Sequence, residues 1–129
     1  MQHVVNGEAA SHPWRGILIR ELTPAGAAYL GSLVEVEVPP GTHHPVARST
    51  KCETHYYCVR GQVSYEVAGR DGILREGDLL IIEPNEWYRY SAEAAALLLS
   101  FNVPPYDASA TEYREDAVST GPTIAASDS

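Results

Sequence analysis

Residues 34–38 read VEVEV, a one-by-one alternation of β-branched apolar and acidic side chains that Pro39, Pro40 and Gly41 cut off. A helix would spread these valines around its circumference. An extended strand puts Val34, Val36 and Val38 on one face and Glu35 and Glu37 on the other. The segment therefore asks for a core on one side and solvent on the other, which is a half-buried strand.

Short runs of the same kind recur along the chain. RGILIREL at 15–22 is a first strand closed by TPAG. THYYCVRGQVSYEVAGRDG supplies a strand, a turn at Gly61, a strand with Val63, Tyr65 and Val67 on one face, and a hairpin at GRDG. GDLLIIEPNEWYRYS gives two strands around a Pro-Asn turn, and AAALLLSFNVPP a last, buried one. Ten Gly and nine Pro punctuate these runs and are poorly tolerated in helix interiors. Roughly six to eight short strands with no amphipathic helix predict an all-β sandwich or closed barrel.

At 129 residues the chain has the length of one domain with its own core. The expected division is a lead-in with the first strand at 1–29, a barrel at 30–106, and an extension at 107–129 that ends in a loose tail from 117. Residues 1–16 read as irregular. A formal charge of −8 argues against a nucleic-acid partner, which needs clustered Lys and Arg. No apolar run approaches the ~18 residues of a spanning helix, so no membrane partner is expected. The N-terminal MQHVVNGEAASHPW lacks the charged-then-apolar pattern of a signal peptide, and the expected location is cytoplasmic. Cys52 and Cys58, if joined by extended chain, lie about 20 Å apart, out of disulfide reach. Free thiols fit a reducing compartment.

The order PPG at 39–41, a loop rich in potential ligands, strand-Gly61-strand, then Gly77-Asp78 leading an apolar strand and a Pro turn, resembles the cupin superfamily over roughly residues 30–103. The fold this implies is a single-domain double-stranded β-helix, a jelly-roll-like barrel. Within that superfamily the chain resembles ectoine synthase, whose VYCIEG-like strand corresponds to YYCVRG at 56–61. Its CVFTP-like last strand corresponds to LSFNVP at 99–104, and its HRED to YRED at 113–116.

The resemblance also locates the metal ligands of such proteins. Counting back from Gly61, the family's Glu falls on Thr54 and its two His on Ala47 and Ser49. Counting forward from Gly77, its last His falls on Tyr88, and the additional Tyr of ectoine synthases falls on Leu80. No His or carboxylate remains at these positions, so the expectation is a protein with no metal and no other cofactor. An alternative register would use His43 or His44 with Glu53 or His55. Strand alternation opposes it, because Thr54, Tyr56 and Cys58 share one face while Glu53, His55 and Tyr57 share the other.

Tyr88, Tyr56 and Cys58 are the candidate catalytic residues. A phenol inside a cavity donates a hydrogen bond or proton to a developing oxyanion, or it simply fills the volume a metal would take. Cys58 reads as a nucleophile or as a small buried apolar residue. Trp14, Ser49, Thr54, Tyr90 and Phe101 are the candidate substrate-binding residues. The resemblance adds Arg15 beside Trp14 at the barrel mouth, and Glu112 or Glu115 folding over the site.

The expected function is a metal-independent cyclase or dehydratase, a lyase acting on a polar metabolite or biosynthetic intermediate. The alternatives are a non-catalytic small-molecule-binding module and a sugar-type isomerase. The expected partners are a small-molecule substrate and a second copy of the chain, in a homodimer where GILIREL covers the partner's strand edge.

Overall fold

VEVEV forms the second half of a strand, Ser32–Val38, with Val36 and Val38 buried and Glu37 exposed. The computed structural model describes residues 1–24 and 29–114 of the chain. Among them the strands in chain order are β1 (Ser11–Trp14), β2 (Ile17–Glu21), β3 (Ser32–Val38), β4 (Thr42–His43), β5 (Val46–Ser49) and β6 (Glu53–Arg60). These are followed by β7 (Gln62–Val67), β8 (Arg70–Arg75), β9 (Leu79–Ile82), β10 (Tyr88–Ala92), β11 (Ala96–Val103) and β12 (Thr111–Arg114). They build two sheets, ordered β1-β2-β3-β11-β6-β9 and β12-β5-β10-β7-β8, with β4 attached to β10. The all-β class and the barrel-like sandwich are as the sequence predicts.

The inner face of the first sheet is graded. Ladder partners put Val36 beside Leu98 and Leu98 beside Cys58, an apolar row at the closed end. Two residues along, Val34 faces Ser100 and Ser100 faces Tyr56; two further, Asn102 faces Thr54. Each step of two keeps the face and moves up the barrel, so a dry base gives way to a polar upper half. Leu98 and Cys58 have no exposed surface at all.

Local departures from the sequence reading have identifiable causes. Residues 11–14 are a strand, not an irregular lead-in, because Arg15 and Gly16 both take positive φ, 50° and 87°, the pattern of a two-residue hairpin turn. The first predicted strand accordingly starts at Ile17. Its hydrogen bonds run to β1 and β3 of its own chain. The hairpin read at GRDG turns two residues earlier, with Ala68 and Gly69 at its centre, also both positive in φ, and Gly72 lies inside β8 beneath the Tyr65 ring. Residues 42–43, 46–49 and 111–114 are too short to show a period, and pairing with neighbours makes them strands. Gly26, Glu115 and the tail from 117 lie outside the described residues.

Gly61 carries the chain from β6 in one sheet to β7 in the other at φ +78°, where a methyl group would meet the Ala95 carbonyl oxygen at 2.6 Å. Gly69, at φ +81°, has open space around it. Gly69→Ala should therefore lower stability by about 1–2 kcal/mol, the left-handed backbone cost alone. Gly61→Ala should lose more, on the order of 2–4 kcal/mol, because the overlap adds to that cost. Equal losses in chemical denaturation at unchanged slope would contradict this packing of Gly61.

Candidate functional site

The polar upper half of the barrel encloses a cavity of about 500 Å³, within the range of small-molecule sites. Both sheets contribute. From the first come Trp14, Glu21, Thr54, Tyr56, Ser100 and Asn102; from the second and its connections come His44, Ser49, Tyr88, Tyr90 and Tyr113. No Lys or Arg is among the described residues that line it.

His44 is its central group. It follows β4, where its backbone N–H donates to the Tyr90 carbonyl, and the alternation that leaves His43 exposed turns His44 inward, 8% exposed. Its ring lies against Tyr90 at 4.6 Å and Tyr88 at 5.3 Å, both stacked, and against Trp14 at 5.4 Å. Nδ1 is 2.7 Å from the Pro45 carbonyl oxygen. A carbonyl only accepts, so the proton sits on Nδ1 and the lone pair on Nε2. Burial holds the imidazole at about 4, well below its ordinary value; the Pro45 bond opposes this and the Arg15 charge adds to it.

The phenols are moved the other way. Burial raises Tyr88 and Tyr90 well above the ordinary phenol value, with neighbouring phenols adding to it. Tyr56 is raised by burial against hydrogen bonds with Tyr88 and Ser100. Tyr113, whose ring is 6.1 Å from Trp14, is pushed up to about 12, chiefly by burial. All four keep their protons at neutral pH and stay hydrogen-bond donors. A neutral base thus sits among neutral acids, walled by aromatic rings.

Of the residues singled out in the sequence, the structure brings Trp14, Ser49, Thr54, Tyr56, Tyr88 and Tyr90 to this cavity. Cys58 is not there. It lies one row lower, opposite Leu98, its thiol against the Arg60 and Gly61 carbonyls, and burial pushes it up, the reverse of nucleophile activation. Phe101 is on the outer face, half-exposed and edge-on to His55, because β11 turns Ser100 and Asn102 inward instead. Glu112 likewise faces out and pairs with Arg48 at 2.8 Å, while its neighbour Tyr113 faces the cavity. Arg15 stacks over the Trp14 and Tyr113 rings at 5.2 and 5.0 Å and does not line the cavity. His44, Ser100, Asn102 and Tyr113 were missed as site residues. The alternation of LLLSFNV contained the signal for Ser100 and Asn102, since the ladder parity that buries Leu98 also buries them.

The positions where the resemblance puts metal ligands do not suit a metal. Tyr88 stands directly opposite Ala47 in the β10–β5 ladder, so the two family positions do meet, but Ala47 has no donor atom. The Thr54 hydroxyl is engaged by Asn102 at 2.6 Å, and the Tyr88 phenol resists ionisation. Glu53 and His55, 2.6 Å from each other, face outward, away from His44. Among the described residues no three His, Cys, Asp or Glu side chains converge. One imidazole with neutral hydroxyls is a poor set for zinc or iron.

Comparisons with known proteins agree with this architecture. No curated protein sequence matches the chain significantly. Among solved structures, Streptomyces PAC13 in complex with uridine, as a His-to-Gln variant, superposes with a TM-score of 0.77 at 16% identity, covering 88% of this chain and 91% of that one. That protein is described as a nucleoside dehydratase, and Tyr-to-Phe variants of it with uridine match equally well. KdgF from Halomonas gives 0.71 at 18% identity over 83% and 96%, and an RmlC-like cupin from Shewanella frigidimarina 0.70 at 17% over 81% and 92%. At these identities the likeness is one of fold. Among the described residues no helix is long and apolar enough to cross a membrane. The family model for the cupin domain matches residues 34–102, and the chain belongs to the cupin family.

Proposed function

We propose that the chain is a metal-independent lyase that removes water from a small polar substrate in the barrel cavity. The observation that carries this reading is the neutral His44 imidazole, with its lone pair on Nε2, stacked on phenols that hold their protons. His44 Nε2 takes a proton from carbon. The electron pair of that C–H bond forms a C=C bond as the neighbouring C–O bond breaks, and the Tyr88 phenol gives its proton to the departing hydroxyl, which leaves as water. The imidazolium then returns its proton to the phenolate, so the enzyme is regenerated with no net redox change.

The weakness of the base limits the substrate. An imidazole near 4 abstracts only a carbon proton acidified by an adjacent carbonyl, since proton transfer efficiency follows the match of acid and base strengths. Burial compensates in part, because a charge pair formed in a dry cavity attracts strongly. Cyclisation by loss of water, the ectoine-synthase-type chemistry, uses the same groups with a substrate nucleophile in place of carbon. Support also comes from the fold neighbour described as a nucleoside dehydratase, for which one His and two Tyr were substituted, the residue types that meet here.

Incubating the protein with hydroxylated carbonyl compounds and nucleosides and following loss of one water by mass spectrometry tests the reading. His44→Gln should reduce the rate by about 10²–10⁴-fold, and Tyr88→Phe by roughly a hundredfold with the fold retained. A His44→Gln protein that keeps the full rate would move the chemistry elsewhere.

The same imidazole leaves a mark on stability. The unfolded chain binds a proton at His44 below about 6.5 and the folded chain only below about 4, so stability is complete above that window and falls as pH drops through it. The loss assigned to this group is on the order of 3 kcal/mol. The difference in unfolding free energy between the wild type and His44→Gln should narrow between pH 6.5 and 4, and a difference that stays constant across this range would contradict a buried neutral His44.

A further inference from the structure

Thr54 and Asn102 face each other across the β6–β11 ladder, both on the inner face and only 6% and 7% exposed. The Thr54 hydroxyl donates to the Asn102 Oδ1 at 2.6 Å. The oxygen end of the carboxamide is turned to the threonine hydroxyl and the nitrogen end away from it. Oδ1 is held by threonine, and the Nδ2 group, carrying two hydrogens, finds no acceptor among the described residues although Asn102 lines the cavity. Buried donors in folded proteins are paired, so an unpaired amide at a cavity wall calls for an acceptor inside the cavity.

The surroundings restrict what carries that acceptor. The described lining holds no Lys or Arg, since the Arg15 guanidinium is stacked over the Trp14 and Tyr113 rings, so an anionic group in the cavity meets the Glu21 carboxylate, 3.8 Å from His12, without a guanidinium or ammonium beside it. Trp14, Tyr106 and Tyr113 add aromatic surface to the lining, which suits a ring-bearing ligand.

We propose that Thr54 orients the Asn102 carboxamide so that Nδ2 donates to a carbonyl oxygen of an uncharged, ring-bearing substrate, which makes Asn102 a specificity-determining residue and Thr54 a positioning residue. The proposal rests on the dehydratase reading of the cavity and deepens it. A carbonyl held there is polarised by the amide, and the adjacent C–H becomes acidic enough for the weak His44 base. A phosphorylated form of the same ligand is rejected.

The test uses uridine, which is uncharged and carries ring carbonyls, and uridine monophosphate as probes, with binding followed by calorimetry on the full chain. The wild type should bind uridine and bind the monophosphate at least about tenfold more weakly. Asn102→Asp, which keeps the shape but replaces the donor with a carboxylate, should weaken uridine binding by about tenfold or more. Thr54→Val should weaken it, and Thr54→Ser, which keeps the hydroxyl, should restore it; a threonine that only filled volume would be served as well by valine. Equal binding of the two probes, unchanged uridine affinity in Asn102→Asp, equal affinities for the Thr54 variants, or no uridine binding by the wild type would each overturn the proposal. Because binding is read without turnover, binding that depends on Asn102 in a protein that releases no water would sustain this inference and sink the dehydratase reading.

Discussion

The bond from His44 Nδ1 to the Pro45 carbonyl, 2.7 Å long and buried under three aromatic rings, sets the character of the cavity. It selects the tautomer, and burial keeps the ring neutral. The phenols around it are then left without a charge that would draw off their protons, so base and acids coexist unionised in one dry space. Replace His44 by a cation and the neighbouring phenols would be pulled toward ionisation.

The barrel makes that arrangement affordable by grading its interior. Val36, Leu98 and Cys58 close the base with apolar contacts, and only above that row does β11 present Ser100 and Asn102, each met by a polar partner on β6. Polar groups in the upper half are bonded to one another, as Thr54 is to Asn102, or are directed at the cavity. Ala47 contributes by being small. It lies between Tyr88 and Tyr113 in the ladders of the second sheet, leaving their rings room where the family carries an imidazole. The positions where the resemblance puts metal ligands are thus packed as part of an aromatic-walled pocket.

How much of this was legible in the sequence differs by feature. The strand class followed from VEVEV and the Gly and Pro punctuation, and the inward set Thr54, Tyr56 and Cys58 followed from parity in β6. Parity also carried Ser100 and Asn102, but the bulk of Phe101 drew the assignment to the wrong face. It could not say how high in the barrel a residue sits, and height is what separates Cys58 in the apolar base from Tyr56 two residues before it. For His44, named in the sequence only as a possible ligand of an alternative metal register, the place inside the cavity was hidden for a different reason. Its inward turn depends on the pairing of β4 with β10, a contact between residues distant in sequence that no local period records. Strands as short as β1 and β12 likewise exist through their partners, β2 and β5, more than through their own residues.

The central claim is that a neutral imidazole with a free Nε2 lone pair occupies the heart of the cavity. Nitrogen-15 NMR of the His44 ring at neutral pH, assigned by comparison with His44→Gln, measures this directly. The account predicts the neutral Nδ1–H tautomer, with Nε2 at the shift of an unprotonated ring nitrogen and unmoved by added zinc. A protonated ring, the opposite tautomer, or a zinc-dependent shift at Nε2 would contradict it.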